Sequence, residues 1–552
     1  MIAATGLPPL LAKILVARGL GDPACAERFL RPSLAHLYNP FDLKGMDEAV
    51  VRIEQALKND EAIWIYGDYD VDGITATAIL LLTLRELGKE AEYYIPHRLS
   101  EGYGLHMEAI EQLAQEGARL IITVDCGVTA VREAALAREL GMDLIVTDHH
   151  EPGPELPPAV AVINPKQPGC AYPFKGLSGA GVAFKLAHAL LKRLHPEEAG
   201  AREFLKSLLD LAALGTVADI VPLMDENRAI VTHGLSLLRL CKRTGLMHLM
   251  ERAALSPSQL DATAISFVIA PRLNAAGRTE HAMFGVELLM TDDNQRAREL
   301  ARQLEGFNEN RRDIEQSTVE EALVLLETGG EDPVIVVSQE GWHQGVIGIV
   351  ASRLLGQFYR PTIVIGMADG AVAKGSGRSI PGFDLLEALK ACGEHLLQFG
   401  GHKMAAGLAI DPERIDAFRL AINEYARRVL PAEMMHPLVS IDADATPADL
   451  TAEVIGRLGE LAPFGPENPK PVLALEGYRL IEEPRVLRGR HLKLHCASPD
   501  GRPLAALGWG MAGRLDELAG RRGALRLAGT PMLNTWNGRT SVELELKDFK
   551  VC

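Results

Sequence analysis

Paired cysteines are missing from this sequence. Its 552 residues include seven cysteines, which are scattered singly with no close spacing between any two of them. This argues against a zinc ribbon and against a disulfide framework, because both need cysteines at short intervals. Scattered cysteines are typical of reduced thiols, so we expect a cytoplasmic protein. The first residues contain Pro8, Pro9 and Lys13 and no small-residue cleavage site, so we expect no secretory signal.

Long apolar runs are also missing. The longest run, near residues 74–84, is interrupted by threonine and falls well short of the roughly 20 residues that a membrane span needs. We therefore expect no membrane-spanning helix and no membrane partner. With 47% hydrophobic and 24% charged residues, the composition is that of a soluble globular protein. A chain of this length exceeds one hydrophobic core and should form about three or four domains.

Positive charge is scarce relative to negative charge. The 57 Lys and Arg residues and 73 Asp and Glu residues give a formal net charge of −16. Taken alone, this argues against nonspecific affinity for nucleic acid. Acidic residues gathered in a metal site would add to the total, however, and the clustering of basic residues matters more for a polyanion than their number. Net charge therefore excludes little here.

Acidic and imidazole side chains follow three short apolar runs that are rich in Ile and Val. The runs are residues 62–66, 120–124 and 143–147, and the clusters that follow them are Asp68-Tyr69-Asp70-Val71-Asp72, Asp125-Cys126-Gly127 and Asp148-His149-His150. The first two runs are each followed by a long helix-like stretch, which indicates βαβ units in a parallel sheet. The carboxyl ends of such strands line one crevice, so clusters about 80 positions apart can meet there. The acidic and imidazole groups gathered there would repel one another unless cations lay among them.

The remaining sequence predicts four further units around this sheet. Residues 294–327 contain no proline and one glycine, which predicts a single connecting helix about 50 Å long. Short alternating apolar runs near the C-terminus predict a small β-barrel. The predicted domains are a helical arm (1–45), a parallel-sheet α/β domain (46–293), the long helix (294–330), a second α/β domain (331–432) and the barrel (433–552).

Two other functions would also place alternating aspartates after a strand. Asp68, Asp70, Asp72 and Gly73 occupy positions of an EF-hand calcium loop, but position twelve, which needs a glutamate, is Ile79, and a strand precedes the loop instead of a helix. An aspartyl phosphotransferase also has two aspartates after its first strand, but its chemistry does not require the Asp148-His149-His150 cluster. A solvated acidic turn is the plain structural alternative, and two further clusters at equivalent strand ends argue against it.

The neighbouring histidines His149 and His150 cannot both point the same way from an extended chain, so we expect one to be a metal ligand and the other not. Mostly oxygen ligands favour Mn²⁺ or Mg²⁺ over a thiolate-bound metal. A carboxylate such as Asp125 could bridge two ions about 3.5–4 Å apart, the arrangement used to hydrolyse phosphodiesters and phosphoanhydrides.

These clusters, together with motifs further along, resemble the DHH phosphoesterase superfamily and its single-stranded-DNA-specific exonucleases. The likeness covers essentially the whole chain. The motifs in the first domain are Gly215-Thr216-Val217-Ala218-Asp219 and Pro271-Arg272-Leu273-Asn274-Ala275-Ala276-Gly277-Arg278. The second domain resembles the associated DHHA1 domain through Gly341-Trp342-His343-Gln344-Gly345, Gly375-Ser376-Gly377-Arg378-Ser379 and Gly400-Gly401-His402.

The resemblance implies roles for the ligand clusters. One ion would be held by Asp72, Asp125, His149 and Asp219, and a second by Asp70 and Asp125. Asp68 would ligate directly or orient its neighbours. His150 would contact the scissile phosphate or protonate the leaving group, a role that needs an orienting partner.

The resemblance and the residue types also imply a surface for nucleic acid. Arg278 and Arg272 would clamp phosphates, with an internal ion pair as the equal alternative for Arg272. Glycines around His343, Arg378 and His402 would let backbone N–H groups approach an anion. Arg98 and Tyr103 offer a cation and a stacking ring near the crevice, although Tyr103 could equally cap a core. The full predicted set is Arg98, Tyr103, Arg272, Asn274, His343, Ser376, Arg378, Gly401, His402 and, on an OB-like barrel, Arg488, Arg490 and Trp536.

The predicted function is a metal-dependent exonuclease that degrades single-stranded DNA to mononucleotides. The resemblance implies 5′-to-3′ polarity, a role in DNA recombination and repair, and single-stranded-DNA-binding protein as a partner. Two alternatives stay open. One is a phosphodiesterase acting on oligoribonucleotides, cyclic dinucleotides or pyrophosphate, and the other is a noncatalytic DNA-binding scaffold of the same fold. For the barrel residues, a solvated basic strand face is the structural alternative.

Overall fold

The computed structural model describes residues 6–98, 100–196, 198–327, 332–367, 372–518 and 523–552, apart from the side chain of Trp536. The chain begins with helices α1 (Pro9–Ala17) and α2 (Pro23–Leu30). None of the described helices combines the length and the apolar character needed to cross a membrane.

The first domain is built on a five-stranded sheet in which every pair of neighbours is parallel. Its strands, in the spatial order β2-β1-β3-β4-β5, are β1 (Ile63–Tyr66), β2 (Glu92–Tyr94), β3 (Leu120–Val124), β4 (Asp143–Thr147) and β5 (Ala161–Ile163). Alternate residues of β3 enter different cores, with Ile122 on one face and Ile121 on the other. The sheet is therefore buried on both faces, as its continuous apolar runs predict.

Helices cover both faces of this sheet. They are α3 (Met46–Lys58), α4 (Val71–Glu86), α5 (Met107–Gln115), α6 (Val131–Glu139) and α7 (Gly179–Leu194). The chain then becomes helical, with α8 (Ala199–Ser207), α9 (Leu209–Ala218), α10 (Asp225–Leu238), α11 (Thr244–Arg252), α12 (Ala270–Thr279) and α13 (Met283–Met290). A short π-helical turn, Ile265–Ile269, precedes α12.

The long helix α14 (Asn294–Glu327) has the predicted extent, and the last predicted residues, 328–330, lie outside the described part of the chain. Its N-terminal half contributes Leu300 and Leu304 to the core of the first domain. Its C-terminal half contributes Val319 and Ala322 to a core of the second domain. One rigid element thus belongs to both domains and fixes the space between them.

The second domain has a mixed sheet in the order β6-β7-β8-β10-β9, in which only β6 and β7 are parallel. Its strands are β6 (Ile335–Glu340), β7 (Thr362–Met367), β8 (Ala373–Arg378), β9 (Leu396–His402) and β10 (Ala405–Ile410). Its helices are α15 (Ile347–Phe358), α16 (Leu385–Ala391) and α17 (Ile415–Val429). The predicted second α/β domain is confirmed.

The C-terminal section is a closed barrel. Its elements are β11 (Ala443–Asp444), α18 (Ala452–Leu458), β12 (Leu473–Leu480), β13 (Arg485–Leu487), β14 (His491–Ala497), β15 (Pro503–Gly508), β16 (Leu525–Trp536) and β17 (Arg539–Val551). Five strands close the ring β12-β16-β17-β15-β14, because β12 also pairs with β14. Strands β16 and β17 are longer than the predicted short strands. Beyond the barrel they form an exposed hairpin that lacks the alternation of a half-buried strand.

The N-terminal arm packs on this barrel. Leu10 and Ile14 of α1 and Phe29 of α2 share one core with the barrel residues Leu475 and Leu494. Outside the core, the Arg18 guanidinium contacts the Asp442 carboxylate at 2.8 Å, Asn468 Oδ1 and the Pro469 carbonyl oxygen. The first and last parts of the chain therefore form one folded body.

We predict that Ile14→Ala loosens the barrel as well as the arm. Ile14 is fully buried, and an isoleucine-to-alanine change in a core costs roughly 2–5 kcal/mol. Hydrogen exchange should accelerate in the β12 and β14 amides. Val16→Ala on the same helix, where the side chain is 56% exposed, is the control and should leave exchange unchanged. Acceleration confined to α1 would contradict the shared core.

Candidate metal centre and substrate groove

The first aspartate cluster lies in the turn between β1 and α4. The Asp70 carboxylate caps α4, accepting hydrogen bonds from the Asp72 N–H at 2.9 Å and the Gly73 N–H at 3.2 Å. Position 73 must be glycine, because a Cβ there would lie 2.5 Å from the Asp68 carbonyl oxygen. The turn therefore holds three carboxylates at the carboxyl end of β1.

Asp72 and Asp125 meet the start of α7. Asp72 Oδ1 accepts from the Ala180 N–H at 2.9 Å, and its Oδ2 accepts from the Gly179 N–H at 2.5 Å. These N–H groups belong to the positive end of a helix, which favours a carboxylate charge. A Cβ at Gly179 would lie 2.6 Å from Asp125 Oδ1, so the two segments approach closely. Asp125 itself has φ +62°, a conformation that aspartate tolerates better than most residues.

His149 lies at the centre of the cluster. Its Nε2 is 3.1 Å from Asp125 Oδ1, 3.4 Å from Asp219 Oδ2 and 3.9 Å from Asp72 Oδ2. Among the described residues, three overlapping groups of side chains bring possible ligand atoms within 4.8 Å of one another. The first group is Asp72, His149 and Asp219. The second is Asp125, His149 and His150, and the third is Asp68, Asp70 and Asp125. Asp125 belongs to two of these groups, which suits a carboxylate shared by two ions.

The donor atoms fit divalent cations. Asp68 Oδ1, Asp125 Oδ1 and His149 Nε2 are buried and have no hydrogen-bond partner in the described part of the chain. Burial and neighbouring acids raise the pKa of Asp68, Asp125 and Asp219 well above the usual value. These carboxyl groups are unfavourable as bare anions, and hard oxygen donors with one imidazole are what Mn²⁺ and Mg²⁺ accept.

The imidazole of His149 is neutral at this site. Burial and the neighbouring His150 lower the pKa of His149 to about 3. Its Nε2 has no hydrogen-bond partner among the described residues and faces Asp125 Oδ1 and Asp219 Oδ2. The acidic and imidazole groups are thus positioned to bind metal ions.

His150 has the orienting partner that its expected role requires. Its Nδ1 donates to Asp148 Oδ1 at 2.8 Å, and Asp148 also accepts from the Val128 N–H at 2.9 Å and the His149 N–H at 2.7 Å. Although burial opposes charge on Asp148, these hydrogen bonds leave its pKa below the usual value. Asp148 therefore orients His150, a role that the sequence reading missed although Asp148 begins the same cluster.

Tyr103 touches the site through its hydroxyl group. The hydroxyl donates to the Asp125 carbonyl oxygen at 3.2 Å, and its oxygen lies 3.0 Å from His150 Nδ1. The residue is nevertheless 46% exposed, so a ring surface stays accessible beside the crevice. Both a hydrogen-bonding role and the predicted stacking role are compatible with this position.

A crevice of about 540 Å³ opens above the metal ligands. Asp68, Asp70 and Asp219 line one part of it, and Arg98, Asn274, Arg278 and Arg311 line another. Burial and the neighbouring arginines lower the pKa of Arg278 to about 9, so an anionic partner would stabilise the charged form. Arg311 lies on α14 and was missed by the sequence reading.

A second cavity of about 490 Å³ continues from the crevice toward the second domain. The two share Tyr69 and Arg98, and Arg98 lies over the Tyr69 ring at 4.8 Å. Ser376 lines the second cavity, and its Oγ accepts from Arg378 Nη1 at 3.1 Å. We name this continuous space the groove. It runs from the metal ligands to the sheet of the second domain.

The two domains touch beside the groove. Arg278 Nη1 donates to the Gly345 carbonyl oxygen at 3.0 Å, and the Gly345 N–H donates to His343 Nδ1 at 3.1 Å. A Cβ at Gly345 would lie 2.3 Å from the Arg278 carbonyl oxygen, so only glycine permits this contact. His343 is thus placed beside the predicted clamp Arg278.

Other predicted residues lie elsewhere. Arg272 is buried and forms a paired contact with Glu305, with Nε–Oε2 at 2.5 Å and Nη2–Oε1 at 3.1 Å, so the expected phosphate contact is corrected to the internal ion pair. The sequence could not choose between them, because Glu305 lies on another helix. Gly401 and His402 are exposed at the end of the edge strand β9.

The barrel residues Arg488 and Arg490 are exposed in the turn between β13 and β14. The Trp536 side chain lies outside the described residues. An exposed tryptophan missed by the sequence reading, Trp509, stands close to His491, with ring centroids 4.7 Å apart. These positions offer cations and an aromatic ring on one barrel surface.

Comparisons with known proteins agree with this geometry. Three family models match the chain, namely the DHH family N-terminal domain over residues 62–216, the DHHA1 domain over 331–428 and the RecJ OB domain over 441–548. The single-stranded-DNA-specific exonuclease RecJ of Bacillus subtilis (strain 168) is 44% identical over 549 residues, which are 99% of this chain and 68% of that protein.

Solved structures give the same likeness. The crystal structure of RecJ from Thermus thermophilus in complex with Mn²⁺ has a TM-score of 0.83 and 35% identity, and the match covers 100% of this chain and 77% of that one. The corresponding complex with Mg²⁺ has a TM-score of 0.78 and 33% identity, covering 100% of this chain and 76% of that one.

We predict that Asp125→Asn abolishes tight Mn²⁺ binding while the fold is retained. The substitution keeps the shape of the side chain and removes the carboxylate that two ligand groups share. Calorimetric titration should show affinity weakened by more than about 100-fold, beyond the loss typical of residues that only orient a ligand. In chelator the variant should be at least as heat-stable as the parent, since a repelling charge is gone. Asp60→Asn, on an exposed acid, is the control. Unchanged Mn²⁺ affinity would remove Asp125 from the centre.

Proposed function

The chain belongs to the RecJ family of DHH phosphoesterases, and from this we propose that it is a metal-dependent exonuclease that degrades single-stranded DNA. The observation that carries the proposal is the groove itself. Unpartnered carboxylate and imidazole atoms occupy one end, and arginines extend from there toward the second domain. A metal centre joined to a long basic path suits hydrolysis of phosphodiester bonds at the end of a strand.

The protein contributes metal ligands and His150, a residue that can transfer a proton. When bound, two Mn²⁺ or Mg²⁺ ions supply charge stabilisation at the phosphate and lower the pKa of water. Asp72, Asp125, His149 and Asp219 would hold one ion, Asp70 and Asp125 would hold the second, and Asp68 would ligate or orient them. His150 is fixed through its Nδ1 by Asp148, so its Nε2 is available to protonate the leaving oxygen or to contact the scissile phosphate.

The phosphates of the DNA strand bind to Arg278, Arg98 and Arg378. A guanidinium can donate two parallel hydrogen bonds to a phosphate, which fixes position as well as charge. Burial lowers the pKa of Arg378, as it does for Arg278, and Arg98 adds to both effects, so the three cations lie close enough to repel one another. A phosphate backbone threaded between them offsets that repulsion. Asn274, His343, Ser376, Gly401 and His402 belong to the same proposed surface.

The barrel supplies a second contact for longer strands. Arg488 and Arg490 provide charge for phosphates, and exposed rings of the barrel provide stacking surfaces for bases. This division places the metal ligands in the first domain and extends the strand-binding surface beyond the groove.

The proposed exonuclease also has an expected polarity of degradation and an expected cellular role. By family resemblance, degradation runs 5′ to 3′, releases mononucleotides and serves DNA recombination and repair in the cytoplasm. Single-stranded-DNA-binding protein is the partner that such an enzyme would meet on its substrate. The domain limits predicted from the sequence, and the assignment of each ligand to an ion, belong to the same proposal.

The alternative functions find less support. A small-substrate phosphodiesterase of this superfamily has no use for the matched RecJ OB domain or for a groove that continues past the metal ligands. A noncatalytic scaffold would be free to lose metal ligands, whereas every predicted ligand is present and close to its neighbours.

Digestion of end-labelled DNA tests the proposed function. With Mn²⁺, single-stranded DNA labelled at its 5′ end should release labelled mononucleotide at once, while the same strand labelled at its 3′ end should release label only late. Matched duplex, a short RNA and reactions with chelator should yield little product, and His149→Ala should be inactive. Early release of the 3′ label would reverse the polarity, and cleavage of RNA or dinucleotides with intact DNA would replace the substrate.

A further inference from the structure

The metal ligand Asp219 stands at the end of a helix, immediately before a strained residue. It follows α9, and its Oδ2 lies 3.4 Å from His149 Nε2. The next residue, Ile220, has φ +60° and a side chain that is 70% exposed. A β-branched residue in the left-handed region is a true outlier, and such conformations persist only where the surrounding structure holds them. The segment after Ile220 must therefore be anchored.

One anchor lies in the barrel domain. The Leu223 N–H donates to the Pro466 carbonyl oxygen at 3.1 Å. The Leu223 side chain is buried against Gly465, where an added Cβ would lie 2.6 Å from Leu223 Cδ1. The following residue, Met224, packs against the core that the barrel shares with the arm. The chain thus passes from the metal ligand into the barrel interface within five residues.

A second anchor, Arg228, reinforces the first. Its side chain is fully buried, and its guanidinium donates to the carbonyl oxygens of Phe29 at 2.6 Å and Ala462 at 2.7 Å, with longer contacts to Glu460 and Pro463. It also lies 3.7 Å from the centroid of the Phe29 ring. Among the described residues, every one of these partners belongs to the arm or to the barrel domain. A buried cation with all its partners on another body ties the two together firmly.

A third contact, made by Asn227, connects this anchored segment to the metal centre. Asn227 Nδ2, which is buried, donates to the Pro222 carbonyl oxygen at 2.9 Å and to the Gly176 carbonyl oxygen at 2.6 Å. Gly176 precedes the start of α7, whose N–H groups hold Asp72. The segment from 220 to 228 is therefore fixed between the metal centre and the barrel domain.

We propose that the barrel domain positions a metal ligand. In this view Leu223 and Arg228 are positioning residues through which the arm and the barrel hold Asp219 in place for metal binding. The barrel then contributes to hydrolysis even of strands too short to reach its basic surface. The inference rests on the proposed function, because it takes Asp219 to be a ligand of the catalytic ions.

The test compares Mn²⁺ binding by the full chain and by Arg228→Met, which keeps length and removes every donor. Calorimetric titration of the metal-free proteins should show one of two binding events weakened by roughly 10–100-fold in the variant, the range typical when an orienting residue is lost. Arg239→Met is the matched control, because Arg239 also donates to a carbonyl oxygen, that of Leu260, within its own domain. The control should bind Mn²⁺ as the parent does.

A kinetic readout completes the test. For Arg228→Met, kcat should fall by a similar factor on a trinucleotide and on a long strand, and excess Mn²⁺ should restore part of it. If Arg228→Met does not fold, Gly465→Ala, whose methyl group displaces Leu223, is measured instead. Unchanged Mn²⁺ affinity with a raised KM for long strands only would overturn the inference. Failure of the parent chain to bind Mn²⁺ would instead overturn the proposed function.

Discussion

Buried acids at the metal site repel one another, and the surrounding helices and strands are arranged to offset that repulsion. Asp68, Asp72 and Asp125 are almost fully buried at one edge of the parallel sheet, and burial with neighbouring acids raises the pKa of Asp72 to about 7. The protein reduces this cost with the N–H groups at the starts of α4 and α7. Asp68 Oδ1, Asp125 Oδ1 and His149 Nε2 still lack a hydrogen-bond partner among the described residues, so the folded chain presents oxygen and nitrogen donors that suit divalent cations.

The same sheet edge decides where a substrate can lie. The long helix α14 is packed into the cores of both α/β domains, so one continuous element connects the two domains that line the groove. Arg278 donates to the main chain of Gly345 in the second domain, and Arg98, Arg311 and Arg378 add positive charge around it. In the proposed function, positive charge along the groove attracts a phosphate backbone, and cations held by the carboxylates would attract its end to the site of hydrolysis.

Local patterns were sufficient to predict the sheet and the convergence of its ligands. The runs before Asp68, Asp125 and Asp148 became β1, β3 and β4 with ends within about one residue, because a strand buried on both faces leaves an unbroken apolar run. Pairings between distant segments were not predictable in this way. Arg272 forms an ion pair with Glu305 on another helix, and Arg18 forms one with Asp442, which is 424 positions away in the sequence. These ion pairs depend on how helices and strands pack in three dimensions, and the spacing of apolar residues along the sequence gives no information about that packing.

We propose that two divalent cations share the Asp125 carboxylate beside His149. Anomalous X-ray scattering from crystals soaked in Mn²⁺ would locate them. Two peaks should appear about 3.5–4 Å apart, one near Asp72, His149 and Asp219 and the other near Asp70, with Asp125 between them. A well-ordered crystal with no peak at this sheet edge, or with a single peak that does not touch Asp125, would contradict the shared carboxylate.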